Sequence, residues 1–418
     1  MRIFKFGGAS VKNAEAVRNL AKIVAAKNEN IIVVVSAMDK ITNALEQVHK
    51  HHKYASSEIA ESFAYIRSFH DGIAGQLFED SAHPVFSRLN SLYSEIEHII
   101  SQPPSENSAF DYDRLVSYGE LISTCIVAEF LIFNGVDAQY FDIRKILRTD
   151  NTYREAKIQW DVSAKLISKY LPQHGHKVII TQGFIGCTSE GLTTTLGREG
   201  SDFSAAILAY LLNAEDVTIW KDVPGIMNAD PAWYKESEKI DKLSYEEAIE
   251  LAFYGAKVIH PRTVKPLQNK KIPLHVKSFL NPNNSGTTIE EIRGNLVLPP
   301  IYILKNEQLL LSISPKDFSF IGEDHISHIF ALFTQFRTHV NLIQNSAISF
   351  SACADMNSDT YKELISELQI NFKVKYNDNL LLITIRHYNE EAIEKMISDK
   401  SVLLEQKSRS TVRFVVKQ

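Results

Sequence analysis

The sequence predicts an α/β protein, a three-layer α/β/α arrangement around a mostly parallel sheet, followed by a smaller α+β region. Short β-branched runs alternate with amphipathic stretches over the first two thirds of the chain, the order of a parallel sheet covered by helices on both faces. Turn formers then cluster near residue 295, and beyond them the order changes to strand, helix, strand, strand, helix.

Ile3-Phe4-Lys5-Phe6 forms the first strand, and Val17, Leu20, Ala21 and Val24 recur at i, i+3, i+4 and i+7, one buried helical stripe. The run Ile31–Val35 completes a β-loop-α-β unit, and further strands are expected at 138–141, 178–181 and 217–220. Residues from about 50 to 102 carry His, Ser, Glu and isolated aromatics at helical spacing and end on Pro103-Pro104, which predicts a helical insertion. Asn281-Pro282-Asn283-Asn284-Ser285-Gly286 and Pro299-Pro300 surround a short strand at 287–289 and divide the chain into 1–294 and 295–418. In the second part, strands are expected at 309–313, 340–343 and 347–354, with helices at 326–335 and 359–368. A second, weaker round offers strands at 380–386, 402–406 and 411–416 and a helix at 390–397.

The 418 residues are 44% hydrophobic, enough for two or three domain cores. Forty-five basic and 50 acidic residues leave a formal charge of -5, which gives a nucleic acid no footprint. Cys125, Cys187 and Cys353 lie far apart, without zinc-site spacing or an even disulfide set, so a reducing compartment is expected. No signal-peptide core follows Met1 and no apolar run is long enough to span a bilayer, so a cytoplasmic protein without a membrane partner is expected.

Lys5-Phe6-Gly7-Gly8-Ala9-Ser10 falls where a strand ends and a helix begins. Glycines there let backbone N–H groups approach phosphate oxygens, and Lys5 can reach a phosphoryl group. The lysine precedes the glycines, so this is no Walker loop, and alone the segment equally suits a tight turn with a surface lysine. The run 193–206, Thr-Thr-Thr-Leu-Gly-Arg-Glu-Gly-Ser-Asp-Phe-Ser-Ala-Ala, leads from a glycine-bearing loop into an apolar helix. Ser201 is expected as its N-cap, Arg198 offers a planar fork to a carboxylate, and Asp202 is an acid near Lys5. Read alone, Ser201-Asp202 equally suits a capped helix start.

Trp220-Lys221-Asp222-Val223-Pro224-Gly225-Ile226-Met227-Asn228-Ala229-Asp230 is a strand end with a turn-rich loop, where open α/β sheets bind ligands. Phe253-Tyr254-Gly255-Ala256-Lys257-Val258-Ile259-His260-Pro261 puts a lysine past a helix-ending glycine, with His260 read as structural.

These segments, together with Ser36-Ala37-Met38-Asp39-Lys40-Ile41-Thr42-Asn43 and Val116-Ser117-Tyr118-Gly119-Glu120, resemble the aspartokinases of the amino-acid kinase superfamily, in that family's order and over the whole chain. The resemblance implies transfer of the γ-phosphoryl of ATP to the side-chain carboxylate of L-aspartate, the first step from aspartate to lysine, threonine and methionine. It implies an amino-acid kinase domain over 1–294 and a tandem ACT regulatory region over 295–418, its second unit abbreviated. A homodimer through the ACT region and feedback by lysine or threonine are further implications.

The chemistry fits those residue types. A carboxylate about 4 Å from one phosphate charge is repelled by about 4 kcal/mol at an effective dielectric near 20. Phosphoryl transfer to an ionised acceptor therefore needs cations and N–H donors in line, not a strong base. By resemblance, Lys5 holds the transferring phosphoryl, Gly7, Gly8 and Ser10 donate hydrogen bonds, Asp202 orients Lys5, and Lys257 serves the nucleotide phosphates. Lys221, Asp222, Met227 and Asp230 border the nucleotide, and Mg²⁺ rides on ATP, since the sequence holds no dedicated carboxylate cage. Arg198 takes the α-carboxylate of aspartate, Glu120 its ammonium, and Ser36, Thr42 and Ser201 complete the pocket. Asn341, Gln344, Asn345 and Ser346 match the segment that lines the ACT effector site.

The chain departs from the family where many members carry Thr at Ala9, Gly at Glu199, Thr at Lys221, Tyr at Met227 and Arg at Ala232. Lys221 is expected to replace the charge missing at Ala232. Kinases for glutamate, N-acetylglutamate or UMP would share the phosphate apparatus, but Glu120 and Arg198 favour a free α-amino acid. A catalytically inactive amino-acid sensor is the reading from another class, and Lys5, Asp202 and Lys257 argue against it.

Overall fold

A computed structural model describes residues 1–171, 175–256, 259–294, 296–317, 319–357 and 360–417. The chain forms two compact units, one of Met1–Ile226, Lys239–Ile249 and Val258–Gly294, the other of Met227–Glu238, Glu250–Lys257 and Asn295–Gln418.

The first unit is built on an eight-stranded sheet in the order Lys242–Ser244, Thr287–Glu290, Leu274–Ser278, Val217–Lys221, Arg2–Phe6, Ile31–Val35, Val178–Gln182, Ala138–Tyr140. Every pairing is parallel except that between Leu274–Ser278 and Thr287–Glu290. Ile31–Val35 is buried along its whole length, as a strand covered on both faces must be. Helix Ala14–Ala25 buries the expected stripe of Val17, Leu20, Ala21 and Val24, and Asn13 caps it by accepting from the Ala16 N–H at 2.9 Å. The insertion is helical, with Ile41–Lys53, Ile59–Leu77 and Pro84–Ser101. Among the described residues one helical stretch, Ser108–Phe133, is long and apolar enough to cross a membrane, but 94% of its 18-residue apolar window is buried inside the protein, the mark of a core helix.

Register fixes where a ligand can sit. Phe6 pairs with Val35 on one side and Trp220 on the other, and Val35 pairs with Gln182, so the loops after four neighbouring strands open on one edge of the sheet. Gly8 permits the first of these loops to lie against the second. A Cβ there would stand 2.8 Å from the Asp39 carbonyl oxygen and 3.0 Å from that of Ala37.

The second unit holds a six-stranded antiparallel sheet in the order Val340–Asn345, Phe350–Asp355, Ile301–Pro315, Phe372–Arg386, Thr411–Lys417, Ser401–Lys407. Its two central strands have 15 residues each, longer than the 309–313 and 380–386 read from the sequence. Ladder irregularities at Gln308, with Glu307 and Asn379 at φ of 54° and 52°, interrupt the alternation that marks a strand. Helices Glu323–Gln335 and Tyr361–Asn371 cover a core of Leu309, Leu311, Ile313, Phe333, Phe350 and Phe372. Helix Glu390–Ile397 covers a second core around Tyr302, Ile383, Ile385 and Phe414. The sheet curls until its outer strands meet, where Gln406 Nε2 donates to the Ile343 carbonyl at 3.1 Å.

Candidate active site

The loops at the sheet edge enclose an open cavity of about 890 Å³, lined by Lys5, Gly8, Ser36, Thr42, Glu120, Arg198, Ser201, Asp202 and Lys221 among others. These nine residues come from five segments between residues 5 and 221, and folding gathers them in one place.

Lys5 ends the central strand and is 8% exposed, and its Nζ lies 2.6 Å from Asp202 Oδ1. Asp202 sits in the first turn of helix Gly200–Leu212, also buried. Burial pushes the Asp202 carboxyl up, but the Lys5 and Lys221 charges outweigh it and hold it below the usual carboxylate range. The pair is a fixed ammonium aimed by a fixed carboxylate.

Glu120, in the first turn of the buried helix Tyr118–Phe133, accepts the Ala37 N–H on Oε1 at 3.1 Å, while buried Oε2 has no hydrogen-bond partner among the described residues. Burial lifts this carboxyl to about 8, against smaller opposing effects of the Ala37 N–H and Lys5. A buried carboxyl with an idle oxygen suits a ligand that brings its own positive charge.

Arg198 stands on the turn before helix Gly200–Leu212 and forms no ion pair among the described residues. That helix begins at Gly200, with Glu199 as N-cap at φ 53° and no side-chain cap bond, so the expectation of Ser201 as N-cap is corrected. The left-handed Glu199 turns the chain one residue earlier, which leaves Ser201 inside the first turn. There Gly183 packs on it so closely that a Cβ would lie 2.5 Å from the Ser201 Cβ.

The site also contains residues that sequence reading missed. Asp113 is fully buried and accepts the Thr195 N–H and Oγ–H, each at 2.7 Å, and the Arg154 N–H at 3.0 and 3.1 Å on its two oxygens. It ties the 152–155 loop to the strand leading to Arg198. Burial raises its carboxyl to about 6 despite these donors. Tyr112, Arg154 and Glu46 line the same cavity, with the Arg154 guanidinium 4.1 Å from the Tyr112 ring centre and the Tyr112 hydroxyl donating to Glu46 Oε1 at 2.7 Å.

A family model described as the amino acid kinase family matches residues 1–278. Lysine-sensitive aspartokinase 3 of Escherichia coli strain K12 is 32% identical over 394 residues, 92% of this chain and 86% of that protein. The chain belongs to the aspartokinases. Chloroplastic aspartokinase 1 of Arabidopsis thaliana is 30% identical over 378 residues, 87% of this chain and 65% of that protein. Crystal structures of E. coli aspartokinase III in complex with lysine and aspartate, and with aspartate and ADP, match at 30% identity with TM-scores of 0.84 and 0.82, over 100% of this chain and 96% of each of theirs.

Other residues expected from aspartokinase motifs lie outside the cavity lining. Gly7 borders Lys5, since a Cβ there would lie 3.3 Å from Nζ. Ser10 is 1% exposed and its Oγ donates to the Trp220 carbonyl at 3.1 Å, pinning the glycine loop to the neighbouring strand. Asp222 is exposed beside Lys221. Met227 and Asp230 fall in the second unit, where Asp230 Oδ1 accepts the Ala232 N–H at 2.9 Å in a turn. Lys257 lies outside the described residues.

Of the four effector residues expected from the aspartokinase resemblance, Gln344, Asn345 and Ser346 line a polar cavity of about 370 Å³ with Ser349, Ser351, Leu403, Leu404 and Glu405. Asn341 is 8% exposed and turned to internal use. Its Nδ2 donates to Gln308 Oε1 at 2.8 Å and Asp355 Oδ1 at 2.6 Å, and its Oδ1 accepts from Lys305 Nζ at 2.7 Å.

Proposed function

We propose that the chain is an aspartate kinase, converting ATP and L-aspartate into ADP and 4-phospho-L-aspartate. The observation that carries this reading is the placing of Glu120 and Arg198 in one cavity with the Lys5-Asp202 pair. A zwitterion grips between a buried carboxyl and a guanidinium, and its side-chain carboxylate then points toward a fixed ammonium. The acceptor is ionised at neutral pH, so no base is needed. The protein positions two anions, and its fixed positive charges offset the negative charge that builds on the β–γ bridging oxygen as ADP leaves and the carboxylate oxygen bonds to phosphorus.

In this reading Lys5 holds the transferring phosphoryl, the Gly7 and Gly8 backbone approaches the phosphates, and Ser10 keeps that loop in place. Ser36, Thr42 and Ser201 complete the aspartate pocket, Lys221 adds charge on the nucleotide side, and Asp222, Met227, Asp230 and Lys257 are assigned to the nucleotide by their motifs. ATP is taken as its Mg²⁺ complex, the ion spanning phosphate oxygens. Residues 295–418 act as a tandem ACT region that senses lysine or threonine and joins two copies of the chain in a cytoplasmic homodimer. The lysine-bound E. coli structure and the 344–346 cavity support lysine as the first effector to try.

The test is one assay. Protein is incubated with MgATP and either aspartate or glutamate, and acyl phosphate is trapped with hydroxylamine. Hydroxamate from aspartate, suppressed by lysine or threonine, is the expected result, and hydroxamate from glutamate alone overturns the substrate.

A further inference from the structure

Backbone strain in the first unit concentrates at the cavity. Among the unit's described residues, seven non-glycine ones have positive φ, Asp39, Ala55, Arg154, Phe184, Glu199, Asn213 and Lys271, and Asp39, Arg154, Phe184 and Glu199 line the cavity. Such conformations cost free energy and persist where the surroundings enforce them. Arg154 has the largest φ of the seven, 71°. Its N–H is held by both oxygens of buried Asp113, so the left-handed turn is imposed by a side chain brought from 41 residues away.

That enforced turn delivers a guanidinium to the acceptor end. The Arg154 carbonyl oxygen would lie 3.0 Å from a Cβ on Gly197, so Arg154 packs directly beside the turn bearing Arg198. Its guanidinium carbon stands over the Tyr112 ring, 4.1 Å from the centre, a cation–π contact that fixes the charge at the cavity wall. Neither Arg154 nor Arg198 forms an ion pair among the described residues, whereas Arg88, Arg144 and Arg386 each do. Aspartate brings two carboxylates and one ammonium. The cavity offers the buried Glu120 carboxyl, which has no cation partner among the described residues, for the ammonium, and two guanidiniums in its lining, Arg198 and Arg154, for the α-carboxylate, while the side-chain carboxylate faces Lys5.

We propose that Arg154 is a specificity-determining residue for the acceptor, a second guanidinium that binds a carboxylate of aspartate alongside Arg198, held in place by the Asp113-enforced turn. This rests on the aspartate kinase reading. Arg154 touches the ground-state substrate and not the phosphates, so its removal is felt in the KM for aspartate.

The experiment compares the full-length wild type with Arg154→Gly and Arg154→Lys in the hydroxamate assay. Glycine takes a φ of 71° without strain, so that variant keeps the loop while losing the charge. Arg154→Gly is expected to raise the KM for aspartate about tenfold, the scale of one charge-assisted hydrogen bond, with kcat and the KM for ATP within about twofold. Arg154→Lys is expected to recover part of that loss. An unchanged KM for aspartate in Arg154→Gly overturns the proposal, as does an equal rise in the KM for ATP, which would make Arg154 part of the scaffold. If the wild type gives no hydroxamate from aspartate, the aspartate kinase reading has failed instead.

Discussion

Lys5 Nζ lies 2.6 Å from Asp202 Oδ1, both side chains at most 10% exposed. A contact this dry makes each charge dependent on the other. Replacing Lys5 with Ala should lower kcat by two to three powers of ten, on the order found when one preorganised charge donor is lost. It should also destabilise the fold by about 3 kcal/mol, because buried Asp202 loses its hydrogen-bonded cation and keeps only the field of Lys221. Single-turnover kinetics and denaturant unfolding measure the two effects, and full activity in Lys5→Ala would refute the assignment.

If Glu120 takes the ammonium of aspartate, as proposed, binding should depend on pH. Its carboxyl is lifted to about 8 by burial, so at pH 7 the empty site holds it mainly protonated. The ammonium of aspartate would pull that value down, so binding should release a proton, and affinity should rise as pH goes from 6 to about 8. Calorimetry at pH 7 in buffers of differing ionisation enthalpy reads the proton count. Because the folded value is raised, the stabilisation Glu120 gives the empty protein is full below the ordinary carboxylate range and is lost as pH climbs through about 8. Glu120→Gln should therefore flatten that decline in thermal stability, while raising the KM for aspartate.

Asp113 is a positioning residue whose two oxygens serve three donors. Asp113→Asn turns one of those oxygens into a competing NH₂ group. The expected cost is about 1–3 kcal/mol of stability together with a fall in kcat/KM for aspartate of about tenfold. A variant with wild-type kinetics would show that the 152–155 loop does not set the acceptor site.

Ser10→Ala separates scaffold from phosphate contact. With Oγ committed to the Trp220 carbonyl, the change should cost about 1 kcal/mol of stability and leave the KM for ATP within about twofold. A tenfold rise in that KM would instead make the hydroxyl a phosphate donor.

Within the second unit, Asn341 and Ser346 should behave differently. Asn341→Ala removes the buried amide that Lys305, Gln308 and Asp355 all bond and should lower the melting temperature. Ser346→Ala, at an exposed cavity wall, should keep stability but weaken lysine inhibition. Equal effects of the two on inhibition alone would contradict this division.

The parallel sheet was legible because strands buried on both faces, such as Ile31–Val35, are written as unbroken apolar runs. Lys5, Glu120 and Arg198 were legible as fragments of motifs at the ends of such strands and at helix starts. Three things were hidden. Asp113 reads as one more acid in a polar helix, and its partners Thr195 and Arg154 lie 82 and 41 residues away. The long strands Ile301–Pro315 and Phe372–Arg386 were masked by polar stretches and by the left-handed Glu307 and Asn379. The start of helix Gly200–Leu212 was misplaced because Ser201 is a good capping residue on paper, whereas Glu199 makes the turn.

Those two long strands run through both cores of the second unit, so its modules share one backbone span and neither owns a separate ladder. At Ile343 and Gln406 a single side-chain hydrogen bond links the sheet's two outer strands, so rims and spine touch at one point of a hoop. A small amino acid wedged between Ser346 and Glu405 would tighten one side of that hoop, and the strain would travel along the spine to the far end. Residues 296–417 should then melt, stiffen and respond as a single elastic piece.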